Sequence, residues 1–182
     1  MKISGYAAVF NSLSQDLGGF REIVAPGAFR QSLRSNDIRL LLQHDSVGVP
    51  LARTSTGTLR LTEDKQGLRF TADLPDSPAG QNVLEAVRRG DISAMSFGFS
   101  TRRDSWEHGT GGTVRTLHDV DLHEVSVVGW PAYEATTASV VPVETVRQLG
   151  ERLRRVTPER LATMYPKQWA RLQELRTSIS PK

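Results

Sequence analysis

The chain has 182 residues, 38% of them hydrophobic and 24% charged, with a formal net charge of +3 and no cysteine. That composition describes a folded globular chain, one domain with an appendage, and excludes a disordered one. No apolar run approaches the roughly 18–20 residues of a membrane span, and the N-terminus carries no signal-peptide apolar region. The missing cysteines remove disulfides, thiolate metal sites and cysteine nucleophiles, and fit a cytosolic setting.

The charge is unevenly spread. Residues 1–142 hold 14 Lys/Arg and 16 Asp/Glu, a net of −2, whereas residues 143–182 hold 9 and 4, a net of +5. The basic character belongs to the tail, so nucleic-acid binding by the main body is not expected.

In chain order, Tyr6 to Phe10 is apolar and ends at Asn11-Ser12, a strand running into the Gly-rich stretch Ser14 to Gly19. Pro26-Gly27 opens a short segment in which Phe29 and Leu33 share one helical face. Ile38 to His44 reads as a buried strand. Thr58–Thr62 and Leu68–Leu74 flank the turn Glu63 to Gly67 and predict a hairpin. Ser77-Pro78 starts a helix with Val83, Leu84 and Val87 as its apolar stripe, and Gly90 stops it. Ile92 to Thr101 is a further strand and Thr113 to Val128 contains another; Glu107 to Gly112 between them reads as a Gly-rich loop, and Pro131 ends the second run. Many strands with two short helices predict an α+β, mainly β fold: a closed or nearly closed β-barrel with helices packed around it.

From Val143 the pattern changes. Val143, Val146, Leu149, Leu153 and Val156 form an amphipathic stripe, Thr157-Pro158 restarts the chain, and Trp169, Leu172 and Leu175 continue beyond Pro166. The division expected is a domain over 1–142 and a basic helical extension over 143–182. The extension is either a solvated helix on the body or a docking element for a protein or nucleic acid.

Three constellations can carry chemistry. In Ala94-Met95-Ser96-Phe97-Gly98-Phe99, strand alternation puts Met95, Phe97 and Phe99 on a core face and Ala94, Ser96 and Gly98 on the other. A face of such small residues would let a substrate backbone approach Ser96; the plainer reading is a tightly packed strand. His44, ending the apolar run Leu40 to Gln43, stands where core meets loop and can exchange a proton near neutral pH; it can equally be a structural hydrogen-bonding residue. In Val120 to Val128, Glu124 shares a face with Val120, Leu122, Ser126 and Val128. A carboxylate among apolar neighbours needs a cation or donors, either a catalytic histidine or an arginine. A metal site is not expected: His118, Asp119, Asp121, His123 and Glu124 lie close in sequence, but no ligand spacing appears. No nucleotide-binding fingerprint is present.

Taken together, the order Gly5 to Phe10, Glu22 to Phe29, Leu41 to Asp45, Gly57-Thr58-Leu59 with the Asp64–Leu68 turn, Arg89 to Ile92, Met95 to Phe99, and Asp121 to Val128 leading to Pro131-Ala132-Tyr133 resembles the prohead maturation serine proteases of tailed bacteriophages. These are related in fold to the herpesvirus assemblins. The likeness covers roughly residues 1–142. It implies an antiparallel-rich, assemblin-like barrel. It also implies Ser96 as nucleophile, His44 as general base and Glu124 as third member, with His123 and Asp121 as alternatives for that role. Arg102 or Arg103 would support a backbone oxyanion hole. No cofactor and no metal are implied.

The function implied is cleavage of scaffold protein, or of the scaffold segment of the major capsid protein, and of the protease itself, inside the assembling prohead in the host cytoplasm. Self-association, as in assemblins, is a further implication; a membrane is not involved. The extension 143–182 would serve targeting or assembly, or be removed by self-cleavage. The rival reading is a catalytically inactive capsid-assembly or scaffold-binding protein of the same fold.

Overall fold

A computed structural model describes residues 1–142, so the helical extension expected over 143–182 lies outside the described residues. Two β-sheets enclose one apolar core. The first has the order β5-β6-β1-β9, built from β1 (Lys2–Val9), β5 (Leu59–Glu63), β6 (Gly67–Asp73) and β9 (Thr137–Val140), all pairings antiparallel. The second is organised by β8 (Gly112–Val128). One edge of β8 pairs antiparallel with β7 (Ala94–Gly109) along the whole of both strands. The other edge is shared: β2 (Phe20–Val24) lies parallel to its first part, and β3 (Arg39–Leu42), flanked by β4 (Ala52–Arg53), lies parallel to its last.

The fold is mainly β, as expected, but the barrel is not closed. Among the described residues no strand ladder joins the two sheets. At the corner between β9 and the start of β7, single bonds stand in its place. The Ala138 amide donates to the Ser93 carbonyl at 2.8 Å, and the Thr136 hydroxyl accepts the Met95 amide at 3.0 Å with its single proton shared between the Met95 and Tyr133 carbonyls, both at 2.8 Å. A side-chain hydroxyl thus takes the Met95 amide at an edge where a neighbouring strand would otherwise bond it. The sheets are antiparallel-rich, as expected, with two parallel pairings, β2 and β3 on β8.

The hairpin β5–β6 and the helix α2 (Pro78–Arg89) lie where the turn chemistry puts them. Ser77 caps α2 through the Gly80 amide, Pro78 occupies its first turn, and Gly90 closes it in the left-handed conformation (φ 82°) that glycine adopts without strain. Val83 and Val87 are its buried face. The segment opened by Pro26 yields only one turn of helix, α1 (Ser32–Ser35); its cap residue Gln31 makes no side-chain cap bond, and the backbone turns extended at Asn36. The loop expected at Glu107 to Gly112 is mostly strand: Glu107 and His108 pair with Val114 and Thr113, and only Thr110 and Gly111 form the turn. Among the described residues no helix is long and apolar enough to cross a membrane.

One polar cluster ties β2, β7 and β8 together within the core. Glu22, 3% exposed, accepts from the Tyr133 hydroxyl at 2.7 Å and from Arg115 at 3.2 Å; Arg115 also binds Asp104 at 2.7 Å and lies over the Trp106 ring. Burial pushes the Glu22 carboxyl above the usual carboxylate range, against the opposing pull of Tyr133 and Arg115. Tyr133→Phe is therefore expected to cost about 1–3 kcal/mol near neutral pH. Without the donor, the folded-state pKa of Glu22 rises further. The variant's extra deficit is then absent below the unfolded-state carboxyl pKa and develops as pH rises through the raised folded value. Urea unfolding on both sides of that window checks the sign; an equal deficit at both pH values would refute the coupling.

Candidate active site

The strands β3, β8 and β7 lie side by side, and their register forms two rows across the sheet. Leu41, Ser126 and Ser96 make one row; Arg39, Glu124 and Gly98 make the next. Ser96 is thus one strand spacing, about 4.8 Å, from Ser126. Alternation sends Met95 and Phe97 to the core, where Phe97 meets Phe29 edge-on at 5.4 Å and stacks on Tyr133 at 5.5 Å. Ser96 therefore sits on a strand clamped from beneath, with its own face turned toward Ser126 and Glu124.

His44 arrives by a different route from the one its sequence suggests. The strand expected to run through His44 ends at Leu42, because Gln43 and His44 both take left-handed backbone, φ 53° and 59°. The turn is held by the Gln43 amide on the Val127 carbonyl and the Asp45 amide on the Leu42 carbonyl, both at 3.0 Å. Asp45 then gathers the Val47 and Gly48 amides on one carboxylate oxygen. This turn carries the imidazole back over β8, where Nδ1 meets Glu124 Oε1 at 2.6 Å. The carboxylate is 13% exposed and the imidazole 45%, so the acid is sheltered and the ring is open to solvent.

The other Glu124 oxygen, Oε2, accepts the Ser126 hydroxyl at 2.6 Å, and the same hydroxyl accepts the His44 amide at 3.2 Å. An arginine, the other partner the sequence allowed for Glu124, is not what satisfies it. Gly98 explains how the carboxylate fits. A Cβ on Gly98 would stand 2.5 Å from Oε1 and 3.2 Å from Cδ. The space left open by this glycine is occupied by Glu124, whereas the sequence suggested that the whole small-residue face was cleared for substrate.

His123 and Asp121 do not reach His44. The register slips between Gly98 opposite Glu124 and Phe99 opposite Leu122, leaving His123 as the bulged residue. It is exposed and bonds Ser100 at 2.8 Å. Asp121 is bound by Asn36 at 2.6 Å and Arg102 at 3.1 Å, which hold its carboxyl below the usual range. Arg102 and Arg103 lie six and seven residues past Ser96, roughly 20 Å along the strand. Arg102 is engaged by Asp121, and Arg103 lines a 440 Å³ cavity with Arg30, Arg34 and His118. Among the described residues no group of three or more His, Asp or Glu side chains is placed to hold a metal ion.

Ser126 is the site residue that sequence reasoning passed over. The signal was present, since it shares a face with Glu124 two residues along the strand, but a small residue there reads as packing. Ser96, 8% exposed, and Ser126, 0% exposed, differ in what they can do. Both are buried side by side on one face; Ser96 keeps a narrow opening to solvent and Ser126 keeps none.

A histidine–carboxylate pair set beside a strand serine, on a mainly β scaffold, is the kind of constellation from which serine hydrolases are built. The family model for the caudovirus prohead serine protease matches residues 1–149, and the chain belongs to that family. The prohead protease of Enterobacteria phage HK97 is 30% identical over 158 residues, a match covering 82% of this chain and 66% of the phage protein. The chain thus spans slightly less than two thirds of that relative's length. A crystal structure of the KSHV protease in complex with a hexapeptide phosphonate inhibitor superposes at a TM-score of 0.47 and 13% identity, covering 85% of this chain and 75% of that one.

Proposed function

We propose that the chain is a serine endopeptidase of prohead maturation, with Ser96 as nucleophile, His44 as general base and Glu124 as the residue that orients it. The observation that carries this reading is the 2.6 Å contact between His44 Nδ1 and Glu124 Oε1, on the sheet face that also bears Ser96. With Nδ1 engaged, Nε2 is the nitrogen left to take a proton. The Ser96 Oγ–H bond breaks to His44 Nε2 as Oγ attacks the scissile carbonyl carbon, giving a tetrahedral oxyanion. Its collapse breaks the C–N bond, and His44 returns the proton to the leaving amine. Water, deprotonated by the same imidazole, then releases the acyl group from Ser96. Through both halves Glu124 fixes the ring tautomer and stabilises the transient imidazolium.

The substrates proposed are scaffold protein or the scaffold segment of the major capsid protein, and the chain itself, within the assembling prohead in the host cytoplasm. Self-association remains part of this proposal, and the basic residues 143–182 are assigned to targeting, assembly or self-removal. Their positive charge suits an acidic scaffold partner.

Serine-directed chemistry tests the reading without needing the natural substrate. A fluorophosphonate is expected to form one adduct, found by peptide mass mapping on the peptide containing Ser96, and to form it at least 10³-fold more slowly in His44→Ala, a loss in the range of a missing triad member. An adduct on another serine would overturn the nucleophile assignment. No adduct on the folded chain would favour the inactive capsid-assembly protein.

A further inference from the structure

Ser126 holds both members of the His44–Glu124 pair by atoms they do not use on each other. Its hydroxyl has one proton, given to Glu124 Oε2 at 2.6 Å, and it faces the His44 amide with a lone pair at 3.2 Å. The two bonds fix the hydroxyl rotor, and sealing from solvent leaves no water to compete for either. A bond to an ionised carboxylate is of the short, charge-assisted kind. On the other side, His44 sits in a left-handed backbone next to a second left-handed residue, Gln43. Such non-glycine positions are strained and persist only where their surroundings over-determine them. The His44 amide points away from any strand ladder, and Ser126 is what receives it.

We propose that Ser126 is a positioning residue of the active site: it sets the plane of the Glu124 carboxylate and pins the turn that presents His44, so that the pair is assembled before substrate arrives. This rests on the triad reading given above. Sealed as it is and already bonded at both ends, Ser126 acts through its neighbours and does not touch the reacting atoms. Groups that orient a catalytic residue through a second hydrogen bond are worth about 10–100-fold in metal sites, and a similar scale is expected here.

The test uses the full chain and a fluorophosphonate, with the maximal inactivation rate and the half-saturating concentration measured separately. Ser126→Ala should lower the maximal rate about 10–100-fold and leave the half-saturating concentration within about twofold. Ser126→Thr and Ser126→Val are nearly the same shape and differ by the hydroxyl. Threonine should restore the rate to within a few-fold and valine should not, at matched thermal stability. A far-downfield His44 Nδ1 proton resonance is expected in the wild type from the 2.6 Å contact; it should survive in the threonine variant and be lost or broadened in the valine one.

Equal rates for threonine and valine, or a wild-type rate in Ser126→Ala, would overturn the proposal. Failure of the underlying triad is separable, because it would appear as phosphonylation that persists in Ser96→Ala. Should the alanine variant not fold, the threonine–valine comparison still decides.

Discussion

Replacing Ser96 by alanine is expected to reduce peptide-bond cleavage by about 10⁶-fold while leaving the fold in place. The size of the loss follows from the absence of a substitute nucleophile. Ser126 is the nearest hydroxyl by register, but it is sealed from solvent and committed to Glu124 and His44. Ser100, next on the same strand face, is bonded to His123 at 2.8 Å. An imidazole without its alcohol retains only what binding and oxyanion stabilisation supply. The structural cost should be within about 1 kcal/mol, since the substitution removes one oxygen from the outward face of β7 and leaves Met95 and Phe97 packed on the core side. Co-expression with the capsid or scaffold partner, followed by electrophoresis of the shells, gives the readout. Cleavage at the wild-type extent in Ser96→Ala would show that the chemistry resides elsewhere.

Much of this site was legible before any coordinates, and the reasons are specific. Strand alternation alone put Met95, Phe97 and Phe99 inward and Ser96 and Gly98 outward, because period-two patterning survives wherever one face is buried. The same rule puts Glu124 and His123 on opposite faces, and here it fails: the bulge at His123 turns it to the outward face, where it bonds Ser100 while Glu124 lies against Gly98. Helix α2 was legible because Ser77, Pro78 and Gly90 each carry a local cause for a boundary. What was not legible depends on partners distant in sequence. The left-handed turn at Gln43 and His44 has no local signature, since neither residue is glycine or asparagine; it is held by Val127 and Ser126 on another strand. The far end of β7 is exposed on both faces, so Glu107 and His108 show no apolar period and read as loop. The short strands β2 and β9 likewise exist because β8 and β1 offer them an edge. At the open corner between the two sheets the bonds are single ones, such as the Met95 amide on the Thr136 hydroxyl, and no pattern of hydrophobicity reveals them.

Gly98→Ala is expected to cost about 10³–10⁴ in the rate of cleavage, nearly as much as losing the acid itself, although glycine-to-alanine in a strand is ordinarily mild. The backbone at Gly98 is not left-handed, so alanine is conformationally permitted; the obstacle is the Glu124 side chain. A methyl group 2.5 Å from Oε1 and 3.2 Å from both Cγ and Cδ leaves the carboxylate no room on that side. It cannot simply tilt, because Oε1 is bound to His44 and Oε2 to Ser126, both at 2.6 Å. The carboxylate must therefore release the imidazole, whose tautomer and orientation are then set by solvent. Thermal stability should change little, since alanine gains strand propensity of roughly 0.5–1 kcal/mol that offsets the lost contact. A double-mutant cycle makes the cause visible. If the methyl acts through the carboxylate, Gly98→Ala combined with Glu124→Ala should be no slower than Glu124→Ala alone. If the two losses multiply instead, the methyl is obstructing substrate on the small-residue face, and Glu124 does not depend on the space beside Gly98. A Gly98→Ala variant with wild-type activity would mean that the carboxylate can serve His44 from another position, and the orienting role given to Glu124 in this geometry would have to be abandoned.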